Sequence, residues 1–521
     1  MHSTTRRVHG RRVIYLLLLT LAAARAPAQT RPPIQPDVEG PVGEHADQQA
    51  MYDLVAQGEA LEAFEMAFEA GDELFETRFN SFDGVGANVG QNQRFTRVPR
   101  ADLNGPGEWA QHVPMRATGP NAETCVACHN EPFDDGAGSS AANVHRDPQH
   151  SGTLGSFIER NTPHLFGLGA LQVLAEEMTG TLQGIRDEAS AEACRTYTPQ
   201  TRTLTAKSIN FGSITATPQG SPCQATIDTS QVVGVESPLI VKPFQWKGST
   251  ATLRDFNRDA AHNELGMDAV EIAGDGADGD GDGVADEMTI GDMTALSVYL
   301  AAQPRPTNKI ELAQLGLVTL DPEQRQAIRN GERTFQTIGC TACHRAQLTL
   351  EHNVFSEPSQ SANYRDAVFP GGQDPRQMHV DPAFAVTFDL TKDQPDNIVT
   401  RSNGREYHMG SLEKDLDGHG IVRLYGDLKR HKMGSELAEP IDEVGSGAST
   451  FMTAELWGVG STAPYLHDGR ATTLTEAIMA HGGEAASARD AFAAQSQTGQ
   501  DNVIAFLNNL VLFKVPGTEG R

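Results

Sequence analysis

The pentapeptide Cys-x-x-Cys-His occurs twice in this chain of 521 residues, at residues 125–129 and 340–344. Two thiols at this spacing can form thioether bonds to the vinyl groups of a haem, and the adjacent histidine can ligate the iron. A zinc site or a redox dithiol would need a second CxxC nearby or a thioredoxin-like context, and neither explains the histidine. The motifs therefore predict two covalently bound haems c, held by Cys125, Cys128, His129, Cys340, Cys343 and His344.

The first 28 residues have the pattern of a cleavable signal peptide. Arginines precede an apolar run at residues 13–24, and Ala-Pro-Ala at 26–28 resembles a cleavage site. The apolar run is too short to span a membrane, and the rest of the chain has no uninterrupted apolar stretch of about 18 residues. We therefore expect an exported, periplasmic protein without a membrane span.

Composition and charge indicate a globular protein and limit the partners that it can bind. The 38% of hydrophobic residues suffices for sizeable cores, and the length suggests two or more domains. A formal net charge of −27 argues against nucleic acid as a partner. An acidic surface would attract a basic redox protein such as a small cytochrome c, although it also serves plain solubility.

Two cysteines, Cys194 and Cys223, remain after the haem motifs are assigned. In an oxidising compartment a disulfide between them is the economical interpretation, and two free buried thiols are the alternative.

The chain reads as two diverged copies of one haem domain. An amphipathic helical pattern precedes each motif, and a glycine-centred turn leading into a helix follows at residues 246–253 and again at 467–474. Prolines 304 and 306 mark a boundary. We predict a mainly α protein with few short strands, in which two cytochrome c-like haem domains at 29–305 and 306–521 stand in tandem. Long loop-rich insertions are expected at about 189–241 and 346–447.

An acidic loop near the end of the first half has the spacing of an EF-hand. The ligand positions fall on Asp278, Asp280, Asp282, the backbone of Val284, and Asp286. Position twelve is Thr289 instead of glutamate, and Glu287 is the candidate replacement. The loop predicts a structural calcium ion, and a solvated acidic turn is the alternative.

These features together resemble the bacterial di-haem cytochrome c peroxidase and MauG superfamily, and in particular its di-haem oxidoreductase branch of peroxidase-like proteins. The resemblance rests on both CxxCH motifs, RNTP at 160–163, WKGSTATL at 246–253 and APYLHDGRATTLTEAI at 463–478. It implies that an N-terminal haem reacts with peroxide while a six-coordinate C-terminal haem relays electrons.

Carried over to the first half, the resemblance makes His129 the proximal ligand of the reactive haem. Glu264 matches the distal glutamate, which can move a proton between the two peroxide oxygens. A surface glutamate is the alternative, with His262 able to do related work. Trp246 matches a tryptophan between the haems that is suited to carry electrons, although core packing is the default for tryptophan.

In the second half His344 is the proximal ligand, and the sixth ligand of relatives falls on His481. Two histidines would lower the haem potential relative to histidine and methionine. Met433 is the rival ligand, and an unidentified group or an open iron also remains. We expect His467 to contact a haem propionate or lie between the haems.

The expected function is therefore that of a periplasmic di-haem c-type oxidoreductase that reduces hydrogen peroxide. The alternatives are a MauG-like oxidase, a di-haem oxygenase acting on another substrate, and a pure electron-transfer cytochrome. A small soluble donor, either a cytochrome c or a cupredoxin, would supply electrons. Relatives are often dimers, so the resemblance also implies a homodimer.

Overall fold

The computed structural model describes residues 40–86, 121–146, 158–400 and 404–513. The predicted signal peptide at 1–28 lies outside these ranges. Residues Pro41–Arg521 belong to one compact unit, and the division into domains at residue 305 stays a prediction. None of the described helices combines the length and apolar character needed to cross a bilayer.

The helices vary from one turn to eight turns in length. They are α1 Gln48–Gln57, α2 Ala60–Glu76, α3 Leu168–Thr196, α4 Leu253–Ala260, α5 Val270–Ala273, α6 Ile290–Ala302, α7 Lys309–Gln314, α8 Pro322–Thr337, α9 Leu474–Met479, α10 Ala486–Ala493 and α11 Gln497–Leu507.

The strands form small antiparallel sheets. They are β1 Val144–Arg146, β2 Ile158–Arg160, β3 Gln200–Ala206, β4 Ile209–Gln219, β5 Gln224–Val232, β6 Thr307–Asn308, β7 Leu348–Thr349, β8 Val354–Glu357, β9 Val386–Asp389, β10 Ile398–Thr400, β11 Glu406–His408, β12 Glu413–Lys414, β13 Gly420–Val422, β14 Arg430–Lys432, β15 Thr450–Met452 and β16 Leu510–Val511.

The predicted class, mainly α with few short strands, is confirmed in part: the sheets are small, but 39% helix beside 16% strand makes this a mixed α and β protein. The largest difference lies in the insertion at 189–241, where we expected loops, short strands and short helices. Instead β3, β4 and β5 form a three-stranded antiparallel sheet. Threonine and isoleucine recur along these strands, and β-branched side chains fit a pleated surface. Cys194 at the end of α3 is bonded to Cys223 before β5, which confirms the predicted disulfide.

The helices flanking the two CxxCH motifs repeat the same packing. Helix α2 crosses α6 and α8 crosses α11, and a glycine stands at each crossing. A Cβ on Gly71 would lie 2.4 Å from the backbone oxygen of Ala295, so a side chain there would push the helices apart. A Cβ on Gly331 would lie even closer to the backbone oxygen of Asn502. Asp321 caps α8, because its side chain accepts the backbone N–H of Gln324 at 2.7 Å, and Pro322 opens the helix.

Two candidate haem cavities

Both CxxCH motifs form the same short turn, and each turn lies in the wall of one cavity. The backbone N–H of His129 donates to Cys125 at 3.1 Å, and that of His344 donates to Cys340 at 3.0 Å. All four thiols of the motifs are free of disulfides. Each motif histidine also packs against a phenylalanine, His129 against Phe75 and His344 against Phe335. In both pairs the ring centres lie 6.1 Å apart and the ring planes are inclined by 49°.

The three predicted histidine ligands are neutral and oriented. The Nδ1 atoms of His129, His344 and His481 lie 3.2, 3.1 and 2.7 Å from the carbonyl oxygens of Gly136, Tyr425 and Ala477. Such bonds fix the ring and leave Nε2 for a metal. Burial lowers the pKa of His129 and of His344 to about 4 and lowers that of His481 as well. The neutral imidazole is the form that binds iron.

The second cavity brings His344 and His481 to a distance that suits one shared metal. Their ring centres lie 6.4 Å apart. Imidazole nitrogen bonds a transition metal at about 2.0–2.1 Å and the ring centre lies about 1 Å behind it, so two rings on one iron have centres about 6 Å apart. Met433 lines the same cavity. The residues present therefore fit a haem with two histidine ligands.

His467 also lines the second cavity, where it is buried and stacks on Phe451 with ring centres 4.3 Å apart. Its Nε2 lies 3.7 Å from a carboxylate oxygen of Glu439. Burial lowers the pKa of His467 to about 4, although Asp468 and Glu439 act in the opposite direction. These neighbours are consistent with a residue beside the haem.

The first cavity is lined by Cys125, Cys128, His129, Trp246 and Glu264. Among the described residues that line it, His129 is the one histidine. Glu264 lies on a π-helical turn, Ala261–Leu265, which extends α4. Such turns occur often at functional sites. The amide of Asn121 donates to Oε2 of Glu264 at 3.1 Å.

Trp246 lines both cavities. Its indole N–H donates to the carbonyl of Asn161 at 2.9 Å, and the backbone N–H of Asn161 donates to the carbonyl of His467 at 2.7 Å. Asn161 therefore joins the two repeated turns. In the sequence, Asn161 stands out only as part of the RNTP segment, and its bridging role depends on contacts between distant parts of the chain.

A buried charged histidine at the second cavity was not predicted. His431 lies 2.9 Å from Asp427 and 2.9 Å from Glu484. Burial alone would lower the pKa of His431, but hydrogen bonds to Asp427, Cys343 and Glu484 raise it to about 10. A single histidine among many gives no sequence signal for such a role.

The acidic loop brings together three of its five predicted ligand residues. Carboxylate oxygens of Asp278, Asp280 and Asp282 lie within 4.8 Å of one another. Asp286 instead accepts the backbone N–H of Gly276 at 2.7 Å. Burial and the charge of Asp282 raise the pKa of Asp280 to about 8.

Three comparisons relate this chain to known proteins. Residues 394–510 match the family described as "Di-haem oxidoreductase, putative peroxidase". No curated protein matches the chain.

Two solved structures share little sequence with it. The hydrazine synthase of Kuenenia stuttgartiensis is 12% identical over 93% of this chain and 100% of that chain, with a TM-score of 0.34. A MauG-like protein associated with microbial copper homeostasis is 14% identical over 56% of this chain and 77% of that chain, with a TM-score of 0.27. Both TM-scores are too low to establish a shared fold. The match at residues 394–510 agrees with the resemblance seen in the motifs, so this part of the chain is similar to di-haem oxidoreductases.

Proposed function

We propose that this protein is a periplasmic di-haem c-type oxidoreductase that reduces hydrogen peroxide in the first cavity with electrons relayed through the second. The observation that carries the proposal is the difference between the cavities. The second holds two histidines at the spacing of one shared iron, whereas the first combines one described histidine with Glu264.

In the first cavity, His129 would hold the iron, and Cys125 and Cys128 would attach the haem. The haem supplies the iron that binds peroxide and the electrons that reduce it. Glu264 would accept a proton from the peroxide oxygen nearer the iron and return it to the farther one, so that water leaves. Asn121 would hold the carboxylate in place through its hydrogen bond to Oε2.

Between the cavities, Trp246 would carry electrons to the first site. Its position on both cavity walls and its hydrogen bond to Asn161 support this role. The hydrogen bond at the indole N–H holds the ring in one position between the two cavities. In the second cavity, His344 and His481 would together hold the iron, and a haem held by two histidines suits electron relay instead of substrate binding.

The electron donor would be a small basic redox protein. The chain carries 68 acidic against 41 basic residues. A net negative surface attracts a positively charged partner and speeds its association. A small cytochrome c or a cupredoxin fits that description.

The test is electron paramagnetic resonance and absorption spectroscopy of the fully oxidised and one-electron-reduced holoprotein, with and without hydrogen peroxide. We expect a high-spin signal from the first haem that disappears when peroxide is added. Two low-spin haems that ignore peroxide in every redox state would refute the proposal and would favour a pure electron-transfer cytochrome.

A further inference from the structure

The acidic loop at residues 278–286 lies outside both haem cavities and between α5 and α6. Oxygens of Asp278, Asp280 and Asp282 lie within 4.8 Å of one another. Calcium takes oxygen ligands at about 2.3–2.6 Å, so ligands on opposite sides of one ion lie about 5 Å apart. A single calcium ion can therefore contact all three carboxylates.

A fourth carboxylate, on Glu287, points to a ligand independently of this cluster. Glu287 is only 3% exposed, and its Oε1 has no hydrogen-bond partner among the described residues. Burial raises the pKa of Glu287, and the negative charges of Asp280, Asp282 and Asp268 act on it in the same direction. Oδ2 of Asp280 is likewise buried without a hydrogen-bond partner. Buried anions facing other anions are costly unless a cation lies among them.

We propose that Asp278, Asp280, Asp282 and Glu287 bind one calcium ion, and that this ion fixes the turn carrying Glu264 through Asp268. The calcium site stands on its own geometry, whereas the consequence for Glu264 rests on the function proposed above.

Asp268 connects the loop to that turn. Its backbone N–H donates to Oε2 of Glu287 at 2.7 Å, and its Oδ1 lies 2.9 Å from Nδ1 of His262. The acidic loop also packs closely against Asp268, since a Cβ added to Gly279 would lie 2.4 Å from Oδ2 of Asp268. His262 and Glu264 share the π-helical turn Ala261–Leu265. An ion that immobilises Glu287 would therefore immobilise this turn.

The structure also explains why position twelve of the loop is not glutamate. The hydroxyl of Thr289 accepts the backbone N–H of Asp292 at 3.2 Å and caps α6. Helix α6 therefore begins where an EF-hand would place its last ligand. Glu287, two residues earlier, supplies the carboxylate in its place. All of these donors are oxygens, which calcium prefers. Calcium tolerates an irregular arrangement of ligands, whereas magnesium demands a near-ideal octahedron, so the loop suits calcium better.

The first test is a calorimetric titration of the full-length holoprotein with calcium chloride after depletion with a chelator. We expect one ion per chain. Glu287→Gln and Asp282→Asn should each weaken binding by about 10-fold or more. Glu188→Gln is the control, because Glu188 is exposed and belongs to none of the clusters of possible metal ligands among the described residues, and it should leave the affinity unchanged. No binding to the wild-type protein at calcium concentrations up to about 1 mM would overturn the site.

The second test is hydrogen exchange of the backbone amides at residues 261–268 with and without calcium. We expect calcium to slow exchange there by about 10-fold, with residues 415–420 unaffected. Calcium binding without a change at 261–268 would overturn the coupling to Glu264. Calcium binding and protection in a protein that does not reduce peroxide would support this inference while refuting the proposed function.

Discussion

The same backbone turn presents a tryptophan in one half of the chain and a histidine in the other. Phe244 bridges to Thr250 around Trp246, and Tyr465 bridges to Ala471 around His467. The residue before each has a positive φ, 64° at Gln245 and 73° at Leu466. Residues other than glycine rarely adopt a positive φ, and such backbone strain concentrates at functional sites. The repeated turn therefore places a tryptophan on the walls of both cavities and a histidine on the wall of the second cavity.

Glu264→Gln removes the carboxylate but keeps the size of the side chain. If Glu264 moves the proton during peroxide cleavage, we expect this step to slow by about 10²–10⁴-fold. Stopped-flow absorption of the reduced holoprotein mixed with peroxide measures the rate. Unchanged turnover would remove Glu264 from the mechanism.

His481→Met replaces one proposed axial ligand of the second haem. Methionine sulfur stabilises ferrous iron relative to imidazole, so the midpoint potential of this haem should rise. A spectroscopic redox titration measures the change. Met433→Leu tests the rival ligand. If the midpoint potential shifts with Met433→Leu and does not shift with His481→Met, our assignment of His481 is contradicted.

At the scale of elements, α3 carries a partly buried acid, Glu176, whose ionisation opposes folding. Burial raises the pKa of Glu176 from 4.5 to about 7, and Gln172, one turn earlier, donates a hydrogen bond to it at 3.1 Å. The folded state therefore holds this proton more tightly than the unfolded chain. Stability should fall as the pH rises from about 4.5 through about 7.

Glu176→Gln removes that ionisation. We expect it to raise the unfolding temperature at pH 8, where the penalty amounts to at most about 3 kcal/mol, and to leave it unchanged near pH 4.5. Calorimetric melting at both pH values measures this. Glu188→Gln, at an exposed position of the same helix, is the control. An equal effect of Glu176→Gln at both pH values would exclude the titration of Glu176 as the cause.

At the scale of the whole molecule, the dominant property is the net charge of −27. Charges of one sign produce a field that acts on an approaching partner beyond direct contact, and salt screens that field over about 8–10 Å. The charge therefore bears on the choice of electron donor more than on the fold.

We expect a basic cytochrome c to reduce this protein quickly at low salt, with a rate constant that falls steeply as sodium chloride rises to about 0.5 M. Stopped-flow mixing at several ionic strengths measures this dependence. An acidic donor should show the opposite trend. A rate constant for the basic donor that does not change with salt would contradict electrostatic steering.

Much of each candidate site could be predicted from the sequence, because local patterns encode it. The CxxCH motifs, the N-cap at Asp321 and the spacing of Asp278, Asp280 and Asp282 depend on residues close together in the chain. The repeated turns could also be aligned by their glycines. The sheet at β3–β5 was missed, because its polar, threonine-rich strands carry a weak alternation of apolar residues that resembles a loop.

The sequence by itself determined the chemistry available to this protein, namely two haem-binding motifs and an acidic loop, because these signals are short and local. Only the tertiary structure decided how they combine. It brought His481 within 6.4 Å of His344 and placed Asn161 between two turns more than 200 residues apart in sequence. It also joined Glu287 to Asp268. The reason is physical: such contacts form between residues distant in sequence, and helix crossings and buried hydrogen bonds fix them.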